Sequence, residues 1–108
     1  MSRSASNDHV IVLCTVPDGQ GGAMADSLVE ARLAACVGIQ KVVSHYIWQG
    51  QLCRDAEEQL IIKTRRDRAE SLIARIKELH PYQVPEIIVL PVQDGYAPYL
   101  RWIDESVG

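Results

Sequence analysis

Residues 80–86 read His-Pro-Tyr-Gln-Val-Pro-Glu, which brings an imidazole, a phenol and a carboxylate onto one short stretch. Pro81 and Pro85 fix their own φ and steer His80 and Val84 out of the helical region, so the stretch is a stiff extended loop. Ile87 to Leu90 then read as a fully buried strand, closed by Pro91. A rigid loop that carries His80, Tyr82 and Glu86 into a buried strand is built like the wall of a site. Three cysteines supply the other reactive groups. Cys14, Cys36 and Cys53 are odd in number, widely spaced and form no C-x-x-C pair, which is no disulfide framework and points to a reducing cytosol. A Cys14–His80 pair has the makings of a nucleophile and its base. However, Cys14 lies in a strongly apolar strand, where burial raises a thiol pKa and bars substrate. The chain is therefore expected not to be an enzyme. A glycine-rich loop at 17–22 matches neither G-x-x-x-x-G-K-[ST] nor a full G-x-G-x-x-G, and is not a phosphate cradle.

The elements that must position these groups follow from hydrophobic periodicity. Residues 9–16 form a strand that is apolar on both faces. Met24, Leu28, Ala31 and Ala35 recur at helical spacing, predicting an amphipathic helix over 23–34. Residues 36–48 and 51–65 are two long strands joined by a turn at Gln49-Gly50. Leu60, Ile62 and Thr64 share one face of the second, and Glu57, Gln59, Ile61 and Lys63 the other. Asp67 with Glu70 resembles a capping box that opens a second helix, whose core stripe is Ala69, Leu72, Ile73, Ile76 and Leu79. The last strand covers 87–92. A short terminal helix has Pro98 in its first turn, with Tyr99, Trp102 and Ile103 facing inward. His9 and His45 are expected at the surface.

At 108 residues the chain is one domain over 9–108, preceded by a disordered polar tail at 1–8. Its core is aliphatic, since it contains no Phe. A formal charge of -3 argues against a nucleic-acid surface; Arg65, Arg66 and Arg68 are the only basic cluster. No apolar leader or membrane-length run is present in the sequence, so a cytoplasmic location without membrane insertion is expected.

The order β-α-β-β-α-β plus a terminal helix is the split βαβ, or ferredoxin-like, α+β arrangement with a long central hairpin. It lays both long helices on one face of a four-stranded antiparallel sheet. The first and last strands are nevertheless apolar on both faces, so the second face needs a cover, and another copy of the chain is the cheapest one. The long hairpin also presents unpaired edges. An obligate oligomer is expected.

Six blocks together resemble the CutA family of divalent-cation-tolerance proteins: Val12-Leu13-Cys14-Thr15-Val16-Pro17, Leu33-Ala34-Ala35-Cys36, Tyr46-Ile47-Trp48-Gln49-Gly50, Leu60-Ile61-Ile62-Lys63-Thr64, His80 through Glu86, and Tyr99-Leu100-Arg101-Trp102-Ile103. They run in family order over nearly the whole chain. The resemblance implies a ferredoxin-like subunit in a tight homotrimer, with a PII-like assembly whose sheets face inward. It also implies binding of copper or another divalent cation through Cys14 and His80, with Glu86 as a nearby carboxylate. Some family members carry a second histidine just before the first, where this chain has Leu79. Antiparallel pairing of the first and last strands would bring Cys14 towards Glu86, with His80 on the loop leading in. Soft sulfur with nitrogen suits copper or zinc, and three ligands leave one position open. Alternatively Glu86 orients His80 from behind, or pairs with Lys63. The other reading is a PII-like, non-enzymatic signalling trimer. There a small anionic ligand would sit between subunits near Trp48, Glu57, Lys63 and Tyr82, although Trp48 and Tyr82 serve equally well as packing between subunits.

Overall fold

The computed structural model describes residues 8–108. Of the tail expected at 1–8, residues 1–7 lie outside the described residues; the Asp8 carbonyl accepts the Arg66 N–H at 2.8 Å. The elements are β1 (His9–Pro17), α1 (Gly21–Glu30), β2 (Cys36–Trp48), β3 (Gln51–Arg65), a 3-10 turn (Arg66–Arg68), α2 (Ala69–Leu79), β4 (Ile87–Pro91) and α3 (Ala97–Ser106). The four strands pair antiparallel in the order β2-β3-β1-β4, the ferredoxin-like arrangement with its long central hairpin.

β1 is the central strand, paired with β3 on one side and β4 on the other. Alternation sends Val10, Val12, Cys14 and Val16 to the helix-covered face, where they meet Leu60 and Ile62 of β3 and Leu28, Leu72 and Ile76 of the helices. Thr64 shares that buried face because its hydroxyl donates to the Leu33 carbonyl at 2.7 Å.

α1 begins two residues earlier than its apolar spacing suggests. The Gly21 N–H donates to Glu58 Oε1 at 2.7 Å, so a buried carboxylate from β3 caps the positive end of the helix. A Cβ at Gly21 would stand 2.7 Å from that same oxygen, which is why glycine occupies the position. α1 also ends earlier than expected, because Arg32 takes the left-handed conformation (φ 58°) and the Leu33 and Ala34 N–H groups turn back to the Leu28 carbonyl.

The capping box expected at Asp67 is not formed. Arg65 holds the Asp67 carboxylate through two bonds of 2.9 and 3.0 Å, and α2 starts after a 3-10 turn without a side-chain cap. That guanidinium holds the Asp67 carboxyl below its usual range. Leu79 of the expected core stripe is exposed, because the helix ends there.

In α3 only Ile103 of the three expected inward residues is buried, against Ala35 and Val107. Tyr99 and Trp102 instead stack on each other at 5.5 Å on the outside. His9, expected at the surface, is buried, and its Nε2 bonds Asp104 Oδ1 at 2.8 Å, tying β1 to α3.

The sheet face away from α1 and α2 carries a cross-strand row of Ile61, Leu13 and Ile88, with Ile11 and Leu90 beside it. Ile88 and Leu90 remain 47% and 43% exposed. β2 and β3 also outrun the rest of the sheet, giving a long axis of 53 Å and exposing Val43, Ile47 and Leu52 near the hairpin turn.

Leu72 is fully buried between α2 and the sheet. Leu72→Ala is expected to cost about 2–5 kcal/mol of unfolding free energy, read as a lower denaturant midpoint at fixed protein concentration. An unchanged midpoint would contradict the packing described.

Candidate functional site

α2 ends as His80 leaves the helix in an extended conformation, with its N–H still bonded to the Ile76 carbonyl at 2.8 Å. The imidazole is then fixed from two sides. Its Nδ1 accepts the Tyr82 N–H at 3.1 Å, so the ring proton resides on Nε2, which donates to the Thr15 carbonyl at 2.7 Å. The chain that follows is thereby clamped to the end of β1. Tyr82, tilted against His80 at 4.9 Å between ring centres, reaches across to β3 and donates its hydroxyl to Glu57 Oε2 at 2.6 Å.

The result is a cleft of about 730 Å³ between the residue 81–86 loop and the distal half of the hairpin. Its walls include Thr15, Tyr46, Trp48, Glu57, Tyr82 and Glu86. Tyr46 and Trp48 alternate onto one face of β2, and the Tyr46 hydroxyl donates to the Asp55 carboxylate across the hairpin. That bond raises the Tyr46 phenol to about 12. Burial, followed by the bond to Glu57, also raises the Tyr82 phenol well above its ordinary range. Both phenols are therefore neutral donors already committed to carboxylates.

Glu57 is 6% exposed and receives one hydrogen bond, from Tyr82. No cation is paired with it among the described residues. Glu86 adds a second carboxylate, and His45 stands exposed at the rim.

The site residues expected from sequence thus divide. Trp48, Glu57, Tyr82 and Glu86 come together in the cleft. Lys63 does not line it: six residues along β3 from Glu57, it lies opposite Ile11 and Cys36, roughly 20 Å away at the rise of a strand. Cys14 sits one residue from the cleft-lining Thr15 but faces the helices, opposite Leu60 and Ile87, and is fully buried. Burial, with the Glu86 charge as a lesser cause, pushes its thiol from 9.0 to about 12. His80 lies behind the cleft wall with both ring nitrogens bonded to backbone. Among the described residues, no group of three His, Cys, Asp or Glu side chains is arranged to hold a metal ion. The Tyr46–Asp55 pair and the place of Thr15 in the wall were not anticipated, although the alternation of Tyr46 with Trp48 signals a shared face.

The sequence model of the CutA1 divalent ion tolerance protein family matches residues 10–106. The chain belongs to the CutA1 family. Among CutA relatives, the divalent-cation tolerance protein CutA of Pectobacterium atrosepticum is 41% identical over 109 residues, covering 99% of each chain. The crystal structure of CutA from Xylella fastidiosa superposes with a TM-score of 0.90 at 38% identity, over 94% of this chain and 99% of that one. A PII-like CutA from Nostoc in apo form gives 0.89 at 35% identity, over 92% and 97%. An Archaeoglobus fulgidus CutA described as periplasmic gives 0.89 at 33% identity, over 93% and 99%. No helix among the described residues is long and apolar enough to cross a membrane.

The burial of Cys14 predicts its reactivity. In native protein at pH 8, Cys36 and Cys53, both partly exposed, should react with a disulfide reagent while Cys14 stays silent until denaturation. The same shift sets an alkaline limit. The folded state keeps the thiol proton after the unfolded chain loses it near 9.0, so the stability from this group is complete below pH 9. It falls between 9 and about 12 by up to ~1.4 kcal/mol per unit. Cys14→Ala should flatten that part of a stability–pH curve. An equally steep fall in the variant would assign the effect elsewhere.

Proposed function

We propose that this chain works as a homotrimeric, cytosolic, non-enzymatic protein of divalent-cation tolerance, with copper as the foremost ion and Cys14, His80 and Glu86 as the ligand set. The observation that carries this reading is membership of the divalent ion tolerance family. In the fold His80 is bonded to the carbonyl of Thr15, the neighbour of Cys14, and Glu86 precedes Ile87, the β4 partner of Cys14, so an ion would have to draw the three side chains together. The donor types, sulfur and nitrogen with one carboxylate, suit copper or zinc. Binding has two conditions in this fold. Cys14 must release its proton, and His80 must exchange its Nδ1 bond to the Tyr82 N–H for the ion.

Association is supported by the uncovered row of Ile61, Leu13 and Ile88, which a lone subunit would leave partly in water; the number three is what the family resemblance implies. A cytosolic location fits three free cysteines, two of them partly exposed on the hairpin strands. The periplasmic description of the Archaeoglobus relative is the alternative for this property.

A second reading, a PII-like signalling trimer, draws on the Nostoc relative and on the cleft itself, which lies beside the expected subunit boundary. Its ligand was expected to be an anion near Lys63. The cleft walls hold Glu57 and Glu86 instead, so their charge opposes that choice.

The test is calorimetric titration of reduced, metal-stripped protein with Cu(I) and Zn(II), on wild type, Cys14→Ser and His80→Ala. Saturable binding near about one ion per subunit is expected, lost in both variants and strengthening about tenfold per pH unit as the thiol proton is displaced. Binding that persists unchanged in the variants would move the metal elsewhere. Ile88→Lys should separate the subunits, measured by light scattering; an unaltered mass would sink the sheet-face assembly.

A further inference from the structure

The chain holds two Asp-Gly dipeptides, Asp18-Gly19 and Asp94-Gly95, and both lie outside strand and helix. At such a step the aspartyl carboxyl is open to the next amide, because glycine puts no side chain in the way. The fold treats the two differently. Lys41 draws the Asp18 carboxylate away, with its Nζ donating to Oδ1 at 3.0 Å. Gly19 is locked at φ 88° in a tight turn, which the Gln20 N–H closes on the Pro17 carbonyl at 3.0 Å. No ion pair holds Asp94 among the described residues. Its Oδ1 instead accepts the N–H of Gly95 at 2.9 Å, so the carboxyl lies directly on the amide that follows it. This contact joins adjacent residues and does not depend on what covers the sheet. The loop is also pressed onto α3, since a Cβ at Gly95 would stand 3.1 Å from Leu100 Cδ2.

We propose that Asp94-Gly95 is a site of spontaneous isomerisation, where Asp94 becomes an isoaspartyl residue at the joint between β4 and α3, while Lys41 and the tight turn protect Asp18. The Gly95 amide nitrogen bonds to Asp94 Cγ. The bond from Cγ to its hydroxyl breaks, and the hydroxyl leaves as water with the amide proton. One water then opens the cyclic imide. Opening at the side-chain carbonyl restores aspartate; opening at the main-chain carbonyl leaves Gly95 joined through Cγ. No oxidant or cofactor is consumed, and the composition is unchanged at the end. The folded loop contributes proximity of nucleophile and electrophile. The product has one extra main-chain carbon and a free α-carboxylate, placed where Gly95 meets Leu100, which packs in turn on the cluster of Ala35, Ile103 and Val107. The inference is independent of metal capture and of the subunit contact.

The assembled protein is kept warm at mildly acid pH in water enriched in heavy oxygen, then unfolded and digested with trypsin. Each passage through the imide adds one heavy oxygen. Asp94 is released in the fragment 78–101 and Asp18 in the fragment 4–32, and fragmentation spectra locate the label. The label at Asp94 is expected to exceed that at Asp18 by about tenfold or more, together with a second chromatographic form of fragment 78–101. In urea the two sites should label at similar rates. Asp94→Glu, whose ring would be one atom larger, should abolish the label at its position. Lys41→Gln should raise the label at Asp18 and leave Asp94 unchanged. Equal labelling of the two sites in folded protein would overturn the inference, as would a label at Asp94 that appears only in urea. An Asp18 that stays unlabelled in Lys41→Gln would overturn the protection assigned to that lysine.

Discussion

The imidazole of His80 is bonded on both sides to main chain: to the Thr15 carbonyl at the end of β1 and to the Tyr82 N–H two residues on. Much of what surrounds the cleft follows from that pair of bonds. They turn the proline-bearing loop over the sheet and deliver the Tyr82 hydroxyl to Glu57. Two prolines remove conformational freedom from the loop, but stiffness alone does not choose a direction; the ring does. A side chain with one donor and one acceptor at fixed separation suits the task, because it joins a carbonyl and an amide that are 67 residues apart in sequence without leaving either nitrogen idle.

Much of this was legible beforehand, and the reason differs from element to element. The strands and the Gln49-Gly50 turn announce themselves through alternation and β-branched runs, and Ile87 onward through apolar density. Both turn residues take positive φ, 50° and 80°, as the tight reversal requires. Helix ends were less legible because partners distant in sequence set them. Glu58 caps α1 from β3, and Arg65 takes the Asp67 that local pattern assigned to a cap. His9 looked like a surface residue since nothing near it in sequence reveals Asp104. For the cleft, identity was readable and orientation was not. Cys14 and Thr15 are adjacent residues, and the one-residue alternation of a strand sends them to opposite faces.

Charge is distributed in the same spirit. Glu57 and Glu58 sit side by side in the middle of β3, beside the end of β1, where they point to opposite faces and meet different partners. Glu58 has a helix amide and Lys41 at 3.6 Å; Glu57 has a phenol alone. Family membership supplies the association with divalent cations.

The Gly21–Glu58 contact has a bearing on nucleotides and other phosphates. A free phosphate in the cell competes for a helix amide at its own concentration. A carboxylate tethered through the same fold competes at an effective concentration on the order of millimolar or more, and never diffuses away. The glycine-rich loop after β1 therefore faces a resident anion supplied by β3. Phosphorylated metabolites meet there a seat already taken.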